Sequence, residues 1–95
     1  IERHIGESPT LNLVEGQTYI FRQHDTSNVT HQILFSTTPN GTWGGGGEYT
    51  TGVVKYGAAG GPGAYTQITI EENAPVLYYY CLNHSGMGGQ ANTIA

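Results

Sequence analysis

Turn-forming residues recur along the whole chain at intervals of roughly eight to twelve residues, and they separate short segments in which apolar and polar side chains alternate. Fifteen of the 95 residues are glycines and seven are tyrosines. No segment keeps the apolar repeat that an amphipathic helix requires. The sequence therefore predicts no helix and an all-β fold, a β-sandwich or barrel of about seven to eight strands.

The alternation also places the individual strands. Because side chains alternate between the two faces of a strand, His31 should share the inward face of Ile33 and Phe35, and Cys81 that of Leu77 and Tyr79. Two glycine-rich runs, 40–47 and 57–63, are predicted to be loops that carry little side-chain information. The predicted strands are 9–14, 18–23, 30–37, an irregular or edge strand within 48–56, then 64–70, 76–81 and a closing strand in 88–95.

Length and charge limit the classes of function. A chain of 95 residues is expected to form one domain, residues 1–95. Its formal net charge of −4, with only 11% charged residues, argues against a nucleic-acid or anionic-membrane partner, which would need a basic face. The sequence contains no apolar run long enough to cross a bilayer. No acid–base apparatus is visible, so an enzyme is not expected.

The strongest functional signal lies near the C-terminal end. Cys81 and Met87, the only cysteine and the only methionine, stand at three-residue steps on either side of His84. His31, 50 residues before Cys81, can supply a second imidazole from another strand. Thiolate, two imidazoles and a thioether are the ligands of a trigonal copper site with a weak axial methionine. The sequence therefore predicts one copper ion per chain, held by His31, Cys81, His84 and Met87.

Each of these residues also has an ordinary structural interpretation. Cys81 can be an inert buried thiol, Met87 a filler of an apolar gap, and His31 a hydrogen-bonded polar residue of a strand. The regular spacing of the three C-terminal residues is what favours a metal site over packing alone. The two other histidines, His4 and His24, are expected to be solvated surface side chains.

A histidine in mid-chain, followed by a strand that ends in Cys-x-x-His-x-x-Met and by a final strand, resembles the cupredoxins, the family of plastocyanin, amicyanin and azurin. The resemblance implies a Greek-key β-sandwich and type 1 copper bound by His31, Cys81, His84 and Met87. The ligand loop is similar in length to that of amicyanin and is two residues shorter than that of plastocyanin. Gln32 stands where plastocyanin-like members usually have an asparagine that helps to hold the cysteine loop, and no proline flanks His84.

A closer likeness is to cupredoxin-like modules of marine bacteria and of marine phage structural proteins. It covers roughly residues 9–95 and is carried by four runs, 16–18, 36–38, 48–52 and 77–89.

Two functions are therefore expected from this sequence. The first is one-electron transfer in the periplasm or extracellular space, with a redox partner that docks near His84. The alternative is a structural or binding module of a phage virion or secreted surface protein, within a larger polypeptide, in which copper is stabilising or vestigial. The length of the parent reading frame would distinguish the two.

Overall fold

The computed structural model describes residues 10–24, 29 and 31–95, and of Met87 the backbone alone. Within these residues the chain forms seven strands and one short 3₁₀-helix, Gly41–Gly44. The described residues contain no helix long and apolar enough to cross a membrane. The strands are β1 (Leu11–Val14), β2 (Thr18–Arg22), β3 (Ile33–Ser36), β4 (Val53–Tyr56), β5 (Tyr65–Thr69), β6 (Leu77–Cys81) and β7 (His84–Ile94).

The strands form two sheets, with the orders β1-β7-β6-β3 and β2-β5-β4. β1 runs parallel to β7, whereas all other neighbouring strands are antiparallel. The turn between β1 and β2 carries the chain from the first sheet to the second. The predicted all-β sandwich is confirmed, and its Greek-key connectivity stays a prediction.

The core lies between the two sheets and draws apolar side chains from both. Phe21 of β2 and Phe35 of β3 meet with ring centroids 5.6 Å apart. Alternation explains this core, because each strand buries every second side chain against the opposite sheet. The buried cluster comprises Leu13, Phe21, Ile33, Phe35, Ile68, Ile70, Leu77, Tyr79 and Ala91.

The outer face of the β3–β6 pair is covered by a segment that we call the strap, residues 40–47. The 3₁₀-helix Gly41–Gly44 lies within it, and Gly41 packs so closely on Tyr80 that a Cβ atom there would overlap the aromatic ring. The Ser36 hydroxyl donates a 2.7 Å hydrogen bond to the carbonyl of Gly47. The strap thus buries the outward-facing side of β6, although the sequence predicted only an uninformative loop there.

β3 begins at Ile33, later than the predicted strand, and His31 therefore precedes the strand. Cys81 pairs with Ile33, and the partner strand then turns away at residues 82 and 83, so His31 has no neighbouring strand to pair with. His31 is half-buried, and the prediction that it lies on a strand is wrong. The predictions for His4, for residue 9, for the loop at 25–28 and for residue 30 lie outside the described residues.

Candidate metal centre

The end of β6 and the start of β7 form a hairpin that presents two of the predicted ligands. Cys81 and His84 are paired across a two-residue turn, Leu82 and Asn83. Cys81 is completely buried, whereas His84 lies at the solvent-accessible end of the hairpin. Opposite residues of an antiparallel pair have closely spaced Cβ atoms, and the hairpin therefore brings the thiol and the imidazole to the same side.

His31 reaches the hairpin from the segment that precedes β3. The backbone N–H of Leu82 donates a 3.1 Å hydrogen bond to the carbonyl of Gln32, which ties this segment directly to the ligand turn. The carbonyl of His31 itself accepts a 2.6 Å bond from the side-chain amide of Gln23. His31 is thus fixed through its backbone on one side and through its neighbour on the other.

Gln23 anchors this segment with both ends of its amide group. It is 3% exposed, and its Oε1 atom accepts hydrogen bonds from the backbone N–H of Ile33 at 3.2 Å and from Gln32 Nε2 at 3.0 Å. Thr66 of β5 completes the network, since its hydroxyl lies 3.2 Å from Gln23 Oε1 and accepts a 2.9 Å bond from Gln32 Nε2. Because β3 is an edge strand, the Ile33 N–H would otherwise lack a strand partner.

The three side chains converge on a small volume. The Sγ atom of Cys81 is 3.5 Å from Nδ1 of His84 and 3.7 Å from Nδ1 of His31. The two imidazole rings lie side by side, with centroids 4.5 Å apart and an interplanar angle of 33°. All three ligand atoms are within 4.8 Å of one another. The structure therefore brings together three of the four ligands that the sequence predicts.

These distances suit a shared metal ion. Metal–sulfur bonds of about 2.3 Å and metal–imidazole bonds of about 2.0 Å would separate sulfur from nitrogen by about 3.5 Å in a tetrahedral arrangement and about 3.7 Å in a trigonal one. The observed separations of 3.5 and 3.7 Å match that range. One thiol and two imidazoles are also a donor set that soft and borderline metals accept. The group could therefore hold a metal ion.

Met87, the fourth predicted ligand, lies in β7 three residues beyond His84. Its side chain lies outside the described part of the structure, so its role as an axial ligand stays a prediction.

Sequence reasoning missed the residues that hold the ligands in place. Gln23 gave no signal, because a polar residue at a strand end is equally typical of a solvent-exposed position. Trp43, whose indole N–H donates a 2.9 Å hydrogen bond to the carbonyl of Cys81, was assigned to a featureless loop. Thr66 gave one hint of a buried network, because it is a polar residue on the same face of an alternating strand as Ile68.

Fold and site together define a small β-sandwich with a candidate His31, Cys81 and His84 metal site at one end of the sheet β1-β7-β6-β3. The chain matches no protein-family model, no curated protein and no solved structure at a level that would show a relationship.

Proposed function

We propose that this chain is a cupredoxin-like type 1 copper protein that carries single electrons. The observation that carries the proposal is the convergence of the Cys81 thiol, at 3.5 and 3.7 Å, on the Nδ1 atoms of His84 and His31. Two imidazoles and one thiolate in this arrangement are the equatorial ligands of such a site, and Met87 is the proposed axial ligand. A copper ion bound there would alternate between Cu(I) and Cu(II) and so accept and release one electron.

Burial of one ligand and exposure of another suit this role. Cys81 is 0% exposed, so its thiol is shielded from solvent and from oxidants. His84 is accessible at the surface and offers the shortest route between the buried thiol and an external molecule. Cys81 is thus the protected ligand, and His84 connects the site to the surface.

The ligands are held by contacts that do not depend on the metal. Gln23 fixes the backbone of His31, and the bond from Leu82 N–H to the Gln32 carbonyl fixes the separation of the two ligand segments. Ligands that stay in place in both oxidation states keep the reorganisation on electron transfer small. Such a site favours electron transfer over hydrolysis, which needs an open position for water.

A redox partner would dock on the surface around His84. Leu82, in the turn of the ligand hairpin, is 47% exposed. Trp43, whose indole N–H donates to the Cys81 carbonyl, is 49% exposed. Two large apolar side chains therefore lie close to the ligand hairpin. Apolar residues of this kind are typical of docking patches. The proposed location is the periplasm or the extracellular space.

Replacement of the axial ligand tests the proposal. Met87→Leu should keep one copper per chain and its colour but raise the reduction potential, because loss of an axial donor disfavours Cu(II) more than Cu(I). Cyclic voltammetry and copper analysis of the wild type and the variant measure both quantities, with Val76→Leu, an exposed position, as the control. An irreversible wild-type couple would contradict electron transfer, and release of copper by Met87→Leu would contradict the axial role.

A second candidate function is a structural module of a secreted surface protein or virion. The observation that favours it is the outer face of the sheet β2-β5-β4, where Ile20, Val54 and Tyr56 are 37%, 51% and 57% exposed. An apolar face of this kind suits packing against another domain. Redox-inactive copper in a protein that self-associates through this face would favour the module over the carrier.

A further inference from the structure

The strap contacts the ligand hairpin on both sides of His84. Before His84 in the chain, the carbonyl of Cys81 accepts the 2.9 Å hydrogen bond from Trp43 Nε1. Beyond His84, the side chain of Asn40 donates to Ser85 Oγ at 3.0 Å and accepts from the backbone N–H of Gly86 at 2.9 Å. Three hydrogen bonds from two residues of the strap therefore bracket the exposed ligand.

The turn of the hairpin lies at the surface. All five residues from 82 to 86 are exposed, so the turn buries little apolar surface. Gly86 adopts a φ of 78°, a conformation that few side chains tolerate, and its N–H points to Asn40. Asn40 is also left-handed, with a φ of 62°, at the start of the 3₁₀-helix. Asn40 and Gly86 thus both have a left-handed backbone, and this geometry brings the Asn40 side-chain amide to the hairpin.

We propose that Trp43 and Asn40 are positioning residues for the metal centre, which hold the Cys81–His84 hairpin so that its thiol and imidazole converge with His31. This inference rests on the proposed copper site. Outer contacts of this kind set ligand orientation and change metal affinity by about 10- to 100-fold when removed.

The Trp43 bond also acts on the electronic state of the site. Its N–H dipole lies against the carbonyl of Cys81, the residue that supplies the thiolate, and offsets part of the negative charge of that oxygen. Without this donor the surroundings of the metal become more negative, which favours Cu(II) over Cu(I). Loss of the donor should therefore lower the reduction potential.

A strap that merely covers the outer face of β6 would behave differently. Its contact with Tyr80 and the bond from Ser36 to Gly47 stabilise the fold but involve none of the residues 81–86 around the ligands. Their loss should lower the melting temperature of the metal-free protein and leave the bound metal unchanged. Measurements of the reduction potential and the metal affinity therefore distinguish a strap that positions the ligand hairpin from one that only covers β6.

The experiment compares Trp43→Phe, which keeps an aromatic ring but removes the donor, and Asn40→Gly, which keeps the left-handed backbone accessible, with Ser36→Ala as the matched control. Each variant is titrated with Cu(II) and, separately, with Zn(II), and its potential and metal-free melting temperature are measured. We expect the dissociation constants of both ions to rise about 10-fold in each hairpin variant. Trp43→Phe should also lower the potential, and Ser36→Ala should change only the melting temperature.

Unchanged dissociation constants and an unchanged potential in both hairpin variants would overturn the positioning role. If the wild type binds Zn(II) through Cys81 but gives no copper charge-transfer band, the copper carrier is wrong, while the Zn(II) constants still decide the role of the strap. If the wild type binds neither ion through Cys81, as judged with Cys81→Ser, both proposals are wrong.

Discussion

Gln23 shows how one side chain can replace a missing strand. Its amide both donates to the carbonyl of His31 and accepts from the N–H of Ile33, as a neighbouring backbone would. Because it is 3% exposed, water cannot take over these bonds if the amide is removed. The position of the His31 imidazole therefore depends on a residue that is not itself part of the candidate metal site.

Gln23→Leu should lower the free energy of unfolding of the metal-free protein by about 2–3 kcal/mol, since it keeps the side-chain volume but leaves buried backbone groups unsatisfied. Metal affinity should fall as well, because the segment that carries His31 loses its anchor. Urea denaturation and metal titration measure the two effects. Gln67→Leu, on the outer face of β5, is the control and should change stability by no more than about 0.5–1 kcal/mol. Equal effects at the two positions would contradict the anchor role.

The ligands could be predicted at this scale, whereas their supports could not. Cys81 and His84 were singled out by their residue types and spacing, although the sequence did not predict the two-residue hairpin that pairs them. His31 does lie in the cluster with Cys81 and His84, but it precedes β3, whereas the sequence placed it on the strand. That error arose because alternation continues through residues 31 and 32 although the partner strand has already turned away. Gln23 carries its role only through contacts that form in the folded sandwich.

Tyr49 makes the stability of the fold depend on pH in the alkaline range. Its hydroxyl lies 3.2 Å from Glu71 Oε1, and partial burial, followed by the charge of Glu71, raises the pKa of Tyr49 above its ordinary value of 10.0. The folded state therefore keeps a proton that the unfolded chain loses near pH 10, so this contribution is present below that pH and is lost as pH rises through the raised pKa.

Tyr49→Phe should accordingly show a shallower loss of stability than the wild type above pH 10, although its stability at pH 7 falls slightly with the lost hydrogen bond. Urea denaturation at a series of pH values compares the slopes. Glu71→Gln should show part of the same shallower loss of stability above pH 10, because it removes the charge that disfavours the phenolate. Parallel curves for all three proteins would contradict this origin of the pH dependence.

At the scale of elements, the hairpin β6–β7 depends on glycine for close approach. The pairing shifts register between Tyr79 and Cys81, and Gly88 lies directly against the backbone of Tyr79 and Tyr80. A Cβ atom at position 88 would overlap the carbonyl oxygen of Tyr79. Since backbone atoms cannot rotate away as a side chain can, the strands themselves would have to separate.

Gly88→Ala should therefore destabilise the protein by about 1–3 kcal/mol and weaken metal binding, because the displaced strand carries His84. Gly47→Ala is the matched control, since nothing lies within 4 Å of a Cβ atom there, and it should be nearly neutral. Thermal denaturation with and without metal measures both effects. A stable Gly88→Ala protein with unchanged metal affinity would show that the hairpin adapts.

The strap marks the limit of sequence prediction for elements. A run of glycines offers no alternation to interpret, so residues 40–47 were predicted to be an uninformative loop. In the structure the missing side chains are the reason for the close packing, because only glycine allows the backbone at position 41 to lie on the ring of Tyr80. Tyr80 faces away from the core, yet it is 0% exposed beneath the strap.

At the scale of the whole molecule, alternation was enough to predict an all-β fold and the inward-facing apolar residues of β3 and β6. It could not give the strand order, because β1 pairs with β7 across nearly the full length of the chain and in parallel. Such long-range pairing leaves no local signal. The candidate metal site depends on the same topology, since β3 and β6 are neighbours although about 40 residues separate them.

The proposed copper site depends on one thiolate, that of Cys81, at the end of the sandwich. Titration of the purified protein with Cu(II), followed by visible absorption, tests this most directly. We expect saturation at one copper per chain with an intense thiolate-to-copper charge-transfer band, and loss of that band in Cys81→Ser. Weak d–d absorption alone in the wild type, or a band that survives in Cys81→Ser, would contradict the type 1 copper site.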